Sequence, residues 1–403
     1  MIKKYIINVV VLIAIFSISH SSILSDKYFI ISITILLLLK FMIIGKSLDV
    51  NFIFIIFAWY LINILAVILN GGGSVPYVRI SSNAMVFFLF PYLILKIYGI
   101  RFWNTFEKWI YILTLISLPL FFLNFLFPTF FNSLYPIFHT FTNKTFQYPY
   151  WSAIVYVNAM VDGSLIRNSG FMWESGSFAM MIIFAMIYNW ITQSDKLNWR
   201  FVIYTVALAT TFSTAGYLAI VFLFMGKFIK KLSVFNVIVI LVFGYLFINI
   251  VYKQDFMGNK IKEYISTFND NELHYDEGYG LIKVNRLQGG YYSIIETLKY
   301  PLGYGVISNK DLTDEVEIYG TNGLGSMLKI WGIIGFVYIL ILLKRFIFFN
   351  SLDKIKDRLG ISMFIALLIM FFSNPIARDS FIYFILLTPL LYKKNTFNTL
   401  NLR

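Results

Sequence analysis

Apolar runs long enough to cross a hydrocarbon core of about 30 Å recur along almost the whole chain, separated by short polar or basic stretches. Twelve such runs predict membrane-spanning helices over 5–18, 28–44, 52–69, 83–97, 109–127, 177–191, 201–212, 217–228, 237–250, 324–343, 361–372 and 381–391. The residues between 201 and 228 are the least certain division, because only Ser213, Thr214 and Gly216 interrupt an otherwise continuous apolar stretch. A turn at Ser213–Gly216 keeps Lys196, Arg200, Lys227, Lys230 and Lys231 on one side of the membrane; a single helix would separate them.

The same charge rule orients the chain. With Lys3 and Lys4 inside, the inner loops also gather Lys40, Lys46, Lys96, Arg101, Lys108, Lys344, Arg345, Lys354, Lys356, Arg358, Lys393, Lys394 and Arg403, and both termini are cytoplasmic. No small-residue cleavage site follows the first apolar run, so no cleavable signal peptide is expected. Two outer loops exceed ordinary connections, one over 128–174 and one over 253–322. The second holds eleven of the chain's twenty acidic residues, which makes it the main solvated module. The chain therefore divides into helices one to five (1–127), a first outer loop (128–176), helices six to nine (177–252), a large outer loop (253–322) and helices ten to twelve with a cytoplasmic tail (323–403). No internal repeat is visible.

Composition agrees with this pattern and removes several kinds of chemistry. The 403 residues are 59% hydrophobic and 13% charged, with a mean hydropathy of +0.75, whereas a soluble domain carries about 25% charged residues. Helical rather than alternating apolar runs exclude an outer-membrane barrel. The absence of cysteine removes disulfides, thiolate nucleophiles, iron–sulfur clusters and Cys-based zinc sites. His20, His139 and His274 are scattered and none has metal-ligand spacing, so neither a metal nor any other cofactor is expected. The net charge of +13 lies mostly beside the apolar runs and signals topology, not nucleic acid.

Two outer segments carry candidate chemistry. Arg167, Asn168, Ser169, Gly170, Phe171, Met172, Trp173 and Glu174 lead into the sixth span. The arginine can offer a planar fork to a phosphate, and Gly170 permits a turn or a close backbone approach. A snorkelling arginine with Glu174 as a first-turn helix charge accounts for the same residues. Arg286 begins a segment in which Leu287, Tyr291, Ile294, Ile295 and Leu298 recur at helical spacing, as in an interfacial helix, before Pro301, Leu302, Gly303, Tyr304 and Gly305 form a turn. A solvent-exposed arginine on a partly buried loop helix explains this segment equally well. Taken together, the two arginines form a metal-free clamp for a lipid-linked diphosphate. Tyr148, Tyr150, Trp151 and Tyr156 suit either stacking on sugars or an aromatic belt at the lipid interface, the belt being favoured. The glycosylation sequon at Asn143, Lys144 and Thr145 is taken as chance.

These segments resemble the O-antigen polymerase and ligase superfamily of bacterial polytopic proteins. Arg167 to Phe178 resembles the family's Arg-x-x-Gly-aromatic-x-x-Glu entry to a span, with Ser175 where proline is usual. Ser213, Thr214, Ala215, Gly216 and Tyr217 resemble its Ser-Thr-x-Gly turn. Arg286 through Gly305 resembles its arginine, helix and proline-glycine ending, and Asn322 through Gly335 resembles the span after the large loop. The resemblance implies an all-α, GT-C-like membrane fold and glycan transfer from an undecaprenyl diphosphate carrier, without metal or nucleotide sugar. Arg167 and Arg286 would hold the donor diphosphate, with Gly170, Gly303, Tyr304 and Gly305 shaping the backbone around it.

Ligases of this superfamily carry a histidine before the span that follows the large loop, where this chain reads Tyr319, Gly320, Thr321 and Asn322. The departure favours the polymerase, which joins a growing glycan to an incoming lipid-linked repeat unit at the periplasmic face of the inner membrane. Lipid-linked repeat units and membrane lipids are the implied partners, with a chain-length regulator and a flippase as associates. Glu174, Asp276, Glu277 and His274 are the candidate general bases, Glu174 first because it shares a motif with Arg167. The rivals are an O-antigen ligase and a lipid-linked oligosaccharide flippase. The latter requires a charged central cavity, which these spans, almost empty of ionisable residues, are not expected to line.

Overall fold

The computed structural model describes residues 2–69, 76–139, 142, 150–159, 166–192, 198–228, 275–276, 281–284, 286–303, 305, 318–320, 322–350, 357–374 and 379–392. It is predominantly helical. The helices are α1 (Ile2–Ile18), α2 (Lys27–Ile44), α3 (Val50–Leu69), α4 (Tyr77–Tyr98), α5 (Arg101–Leu126), α6 (Pro128–Ser133), α7 (Tyr135–Phe138), α8 (Ser175–Thr192), α9 (Trp199–Thr210), α10 (Thr214–Phe228), α11 (Arg286–Lys299), α12 (Gly323–Asn350), α13 (Asp357–Ser373) and α14 (Ser380–Leu391). Six of them, α2, α3, α4, α5, α8 and α12, are long and apolar enough to cross a membrane, and the chain is membrane-embedded. Shorter apolar helices occupy five further expected runs. The run at 237–250 lies outside the described residues.

Helix α8 is the axis of the bundle. Nearly all its residues are buried, apolar ones and Asn189 alike, while α2 and α3 present much of their apolar surface outward, where lipid replaces protein. Rings interlock around it: Phe184 packs edge-on to Phe381, Phe381 stacks on Phe106, and Trp103 meets Phe184 and Phe346. In α4, a π-helical stretch at Met85–Leu89 precedes Pro91, which has no N–H to donate. Several polar groups inside the bundle are paired, whereas Thr114 Oγ1 and Trp331 Nε1 are buried without a hydrogen-bond partner among the described residues. Glu107 on α5 meets Arg200, Tyr204 and Asn189, an ion pair at the ends of the spans expected over 109–127 and 201–212, on the side to which the charge rule assigns Arg200.

The expected turn between the seventh and eighth runs is displaced. Thr211, Phe212 and Ser213 form it, with Phe212 at φ +48°, and Thr214 to Gly216 belong to the first turn of α10. Ser213 explains the shift, because its Oγ accepts the Gly216 N–H as an N-cap.

A compact cap covers one end of the bundle. It comprises α6, α7 and an antiparallel pair, β1 (Tyr150–Ser152) and β2 (Val157–Ala159), in register Tyr150 to Ala159. A second small sheet joins β3 (Tyr275–Asp276), β4 (Leu281–Val284) and β5 (Ile318–Gly320). The loops therefore add short strands to a helical membrane body.

Helix α11 lies alongside the first turns of α12 and runs the same way. Asn322 donates to the Arg286 carbonyl, Ser293 abuts Gly325, and Glu296 pairs with Lys329 at 2.7 Å. The turn at Pro301–Gly305 then meets α12 where that helix is interrupted, a break that the sequence reading of a continuous span omitted. Gly332 has φ +64° and non-helical backbone; Gly305 N–H donates to the Ile330 carbonyl and Ile333 N–H to the Pro301 carbonyl. The broken helix's backbone is thus satisfied by the turn that fills the break. Helix α11 and the turn after it form a limb that runs about 15 Å beside α12, at 1.5 Å per residue over ten residues. Its packing face is Gly289, Ser293 and Thr297, while Leu287, Tyr291, Ile294 and Leu298 point away from the protein. That outward apolar stripe suits lipid.

Candidate functional site

At the cap end, the segment 166–174 is tied down on every side. Asn168 N–H donates to the Thr210 carbonyl, its side chain donates to Thr210 and Ser117, and its Oδ1 accepts Gly170 N–H. Gly170 adopts φ +52°, and a Cβ there would lie 2.6 Å from the Phe178 ring, so its close approach is to the protein's own core. Ser21 donates to the Phe171 carbonyl, and Trp173 N–H donates to the Ser19 carbonyl.

This frame aims Arg167 at the end of α9. Its Nε and Nη2 donate to the carbonyls of Thr211 and Phe212, at 3.2 and 3.0 Å. Those are carbonyls that the terminating helix leaves unpaired, and a cation there also meets the negative end of the helix dipole. Burial pushes the Arg167 guanidinium below its usual value; Glu174 opposes that shift, and the neighbouring Arg286 adds to it. Arg167, Glu174 and Arg286, read from separate segments of the sequence, therefore share one electrostatic neighbourhood.

Arg286 is the first residue of α11, and its Nη1 donates to Ser373 Oγ at 2.7 Å, at the end of α13. A polar layer continues from there. Asn322 caps α12 by accepting Gly325 N–H, and Ser177 donates to Glu174 Oε1 at 3.1 Å and to Asn374 Oδ1 at 3.4 Å. Below this layer a groove of about 470 Å³ opens between α10, α11 and α13. Arg286, Thr214 and Ser373 lie at its head, and Leu218, Ile365, Ile369 and Phe372 line its wall. Ile365 precedes Ser373 by eight helical positions, so the apolar shaft extends about 12 Å. The head also receives the N-termini of α10 and α11, where backbone N–H groups favour anions. Such a cavity accommodates an amphiphile, with an anionic group at the guanidinium and hydrocarbon in the shaft.

Several expected residues have other tasks. A Cβ on Gly303 would come within 2.5 Å of Gly332 N and Ile330 O, and one on Gly305 would strike the Asn63 side chain. Gly303 thus admits the backbone of the interrupted helix, and Gly305 the Asn63 side chain of α3. Tyr150, Trp151 and Tyr156 form neither a sugar platform nor a lipid belt. All three are buried, Trp151 and Tyr156 in the cap's own core with Phe121 and Phe131, because ten residues of hairpin and two short helices enclose enough space to need them as filling. Burial pushes the Tyr150 and Tyr156 hydroxyls up to about 12. Tyr148, Asn143, Lys144, Thr145, His274, Glu277 and Tyr304 lie outside the described residues, as does the side chain of Asp276.

Sequence reasoning overlooked Ser373, Asn374, Ser177 and the pair His20–Asp379. A Ser-Asn-Pro break between two apolar runs was the available signal for the first two. No protein-family model matches the chain, and no curated protein matches it.

Proposed function

We propose that the protein is a polymerase of a bacterial surface polysaccharide, transferring a growing glycan from undecaprenyl diphosphate to an incoming lipid-linked repeat unit. The observation that carries this reading is the groove whose cationic head, Arg286, opens onto an apolar shaft. The donor's diphosphate lies between Arg286, the first turn of α10 and the Arg167 neighbourhood, and its prenyl chain descends past Leu218 and Ile369. The cap end faces the periplasm, both termini are cytoplasmic, and the spans form a GT-C-like bundle in the inner membrane.

The reaction is a displacement at the anomeric carbon. A sugar hydroxyl of the repeat unit forms the new glycosidic bond, and the bond to the diphosphate breaks with its electron pair leaving on the diphosphate oxygen. Arg286 and the helix N-termini hold that developing charge by electrostatic stabilisation. Glu174, the base first suggested by its motif, accepts a hydrogen bond from Ser177 and lies near Arg167; in this reading it serves as a counter-charge.

The test is the surface-polysaccharide ladder of a deletion strain complemented with wild type or Arg286→Ala. A single repeat unit on the core with no ladder above it, in both the deletion and the variant, is the expected result. Lipid-linked polymer accumulating with a bare core would instead make the protein a ligase. Lipid-linked repeat units retained on the inner leaflet would make it a flippase. An unchanged ladder in the deletion strain would remove the reading altogether.

A further inference from the structure

The donor side of the reaction has its charges, but the acceptor hydroxyl must lose a proton. His20 follows α1 in the short connection to α2 and adopts φ +54°, a left-handed conformation that a non-glycine residue takes only when its surroundings impose it. Two hydrogen bonds impose it here. Ser19 O accepts from Trp173 N–H at 3.0 Å and Ser21 Oγ donates to Phe171 O at 2.8 Å, so the residues on either side of the histidine are strapped to the 171–173 segment that leads into Glu174.

Behind the imidazole is a buried carboxylate. His20 Nε2 lies 3.5 Å from Asp379 Oδ2, with the aspartate side chain 6% exposed and the histidine 35% exposed. Asp379 divides its oxygens: Oδ1 accepts Phe381 N–H at 2.9 Å and caps α14, while Oδ2 faces the ring. A carboxylate facing one ring nitrogen favours the tautomer with its proton on Nε2, in which Nδ1 is the acceptor of the ring. The residues flanking His20 join through their hydroxyls, Ser21 donating to Ser19, and the 171–173 segment that they hold leads directly into Glu174, which accepts from Ser177 and acts on Arg167.

We propose that His20 is the general base of the transfer and that Asp379 positions it. This rests on the polymerase reading above. The acceptor O–H gives its proton to His20 Nδ1 as its oxygen bonds to the anomeric carbon and the diphosphate departs with the bonding pair. The imidazolium is balanced by Asp379 and returns the proton to water between turnovers.

The experiment uses full-length protein in lipid nanodiscs, the repeat-unit lipid extracted from the deletion strain as substrate, and undecaprenyl diphosphate alone as binding probe. His20→Gln is expected to lower turnover about 100-fold or more, the usual worth of a general base, with KM and undecaprenyl diphosphate affinity at wild-type values. Asp379→Asn retains an N-cap, since asparagine caps as well as aspartate, yet removes the charge; it is expected to lower turnover with the same unchanged KM and affinity. Wild-type turnover in His20→Gln, with Arg286→Ala inactive, would overturn the assignment and leave the polymerase standing. Loss of affinity in parallel with turnover in Asp379→Asn would overturn it too, by making the pair structural. If wild type itself lengthens no glycan, the reading beneath the assignment falls.

Discussion

At the scale of single residues, the two arginines are not equivalent. Arg286 spends an N–H on one serine hydroxyl at the rim of a groove, whereas Arg167 closes the end of a helix. Arg286→Ala should therefore reduce turnover by roughly 10²- to 10³-fold with little change in thermal stability. Arg167→Ala should lower both, because leaving the Thr211 and Phe212 carbonyls unpaired costs about 1–3 kcal/mol. Ladder analysis beside a melting curve in detergent separates the two outcomes. Gly170→Ala meets a left-handed φ and the Phe178 ring together, and should destabilise by more than about 1–2 kcal/mol in the same melting assay. Arg167, Gly170 and Glu174 were legible in the sequence because they are contiguous and chemically uneven within an apolar chain. His20 and Asp379 were not, since each is ordinary alone and only the packing of α1 against the rest brings them face to face. Trp151 and Tyr156 were misread for a related reason: an aromatic residue looks the same in a chain whether it ends in a core or at an interface.

At the scale of elements, the limb is joined to α12 by a mostly shielded ion pair, among other contacts. Glu296 and Lys329 have side chains 13% and 16% exposed, so neither charge has much water to fall back on. Glu296→Ala alone should cost about 3–5 kcal/mol, since it strands the lysine; Glu296→Met with Lys329→Met should cost much less. Thermal melts of single and double variants form the required cycle. The cap should respond to pH through Tyr150 and Tyr156. Their folded values of about 12 exceed the ordinary 10.0, so their contribution is complete below pH 10 and is lost as pH rises toward 12. Near-ultraviolet circular dichroism through that window should show the loss, and Tyr156→Phe should reduce it. Helices were readable from periodicity, as was the existence of a turn near Ser213. Its position was not, because Ser213 acts as a cap and does not interrupt. The break at Gly332 was equally hidden, since it takes a turn some thirty positions earlier in the chain to fill it.

At the scale of the molecule, the orientation that we propose from charge asymmetry can be checked cheaply. The chain has no cysteine, so single cysteines report without background. Ser133 sits on the cap and Ser47 in the connection between α2 and α3, at the other end. A membrane-impermeant maleimide applied to spheroplasts should label Ser133→Cys and spare Ser47→Cys; the reverse pattern would invert the topology. The membrane class of the fold was plain from composition, while the groove was not, because its walls come from three helices distant in sequence.

The limb beside α12 also limits how the protein can be taken apart. Its outer stripe of Leu287, Tyr291, Ile294 and Leu298 is exposed and apolar, suited to hydrocarbon, and its inner row of Gly289, Ser293 and Thr297 rests on another helix. Neither side is made for water. The large loop is consequently no detachable ectodomain: expressed by itself, 253–322 would carry a sticky helix with nothing to shelter it, and antigens or binding reagents for this region must be raised against the intact protein in lipid.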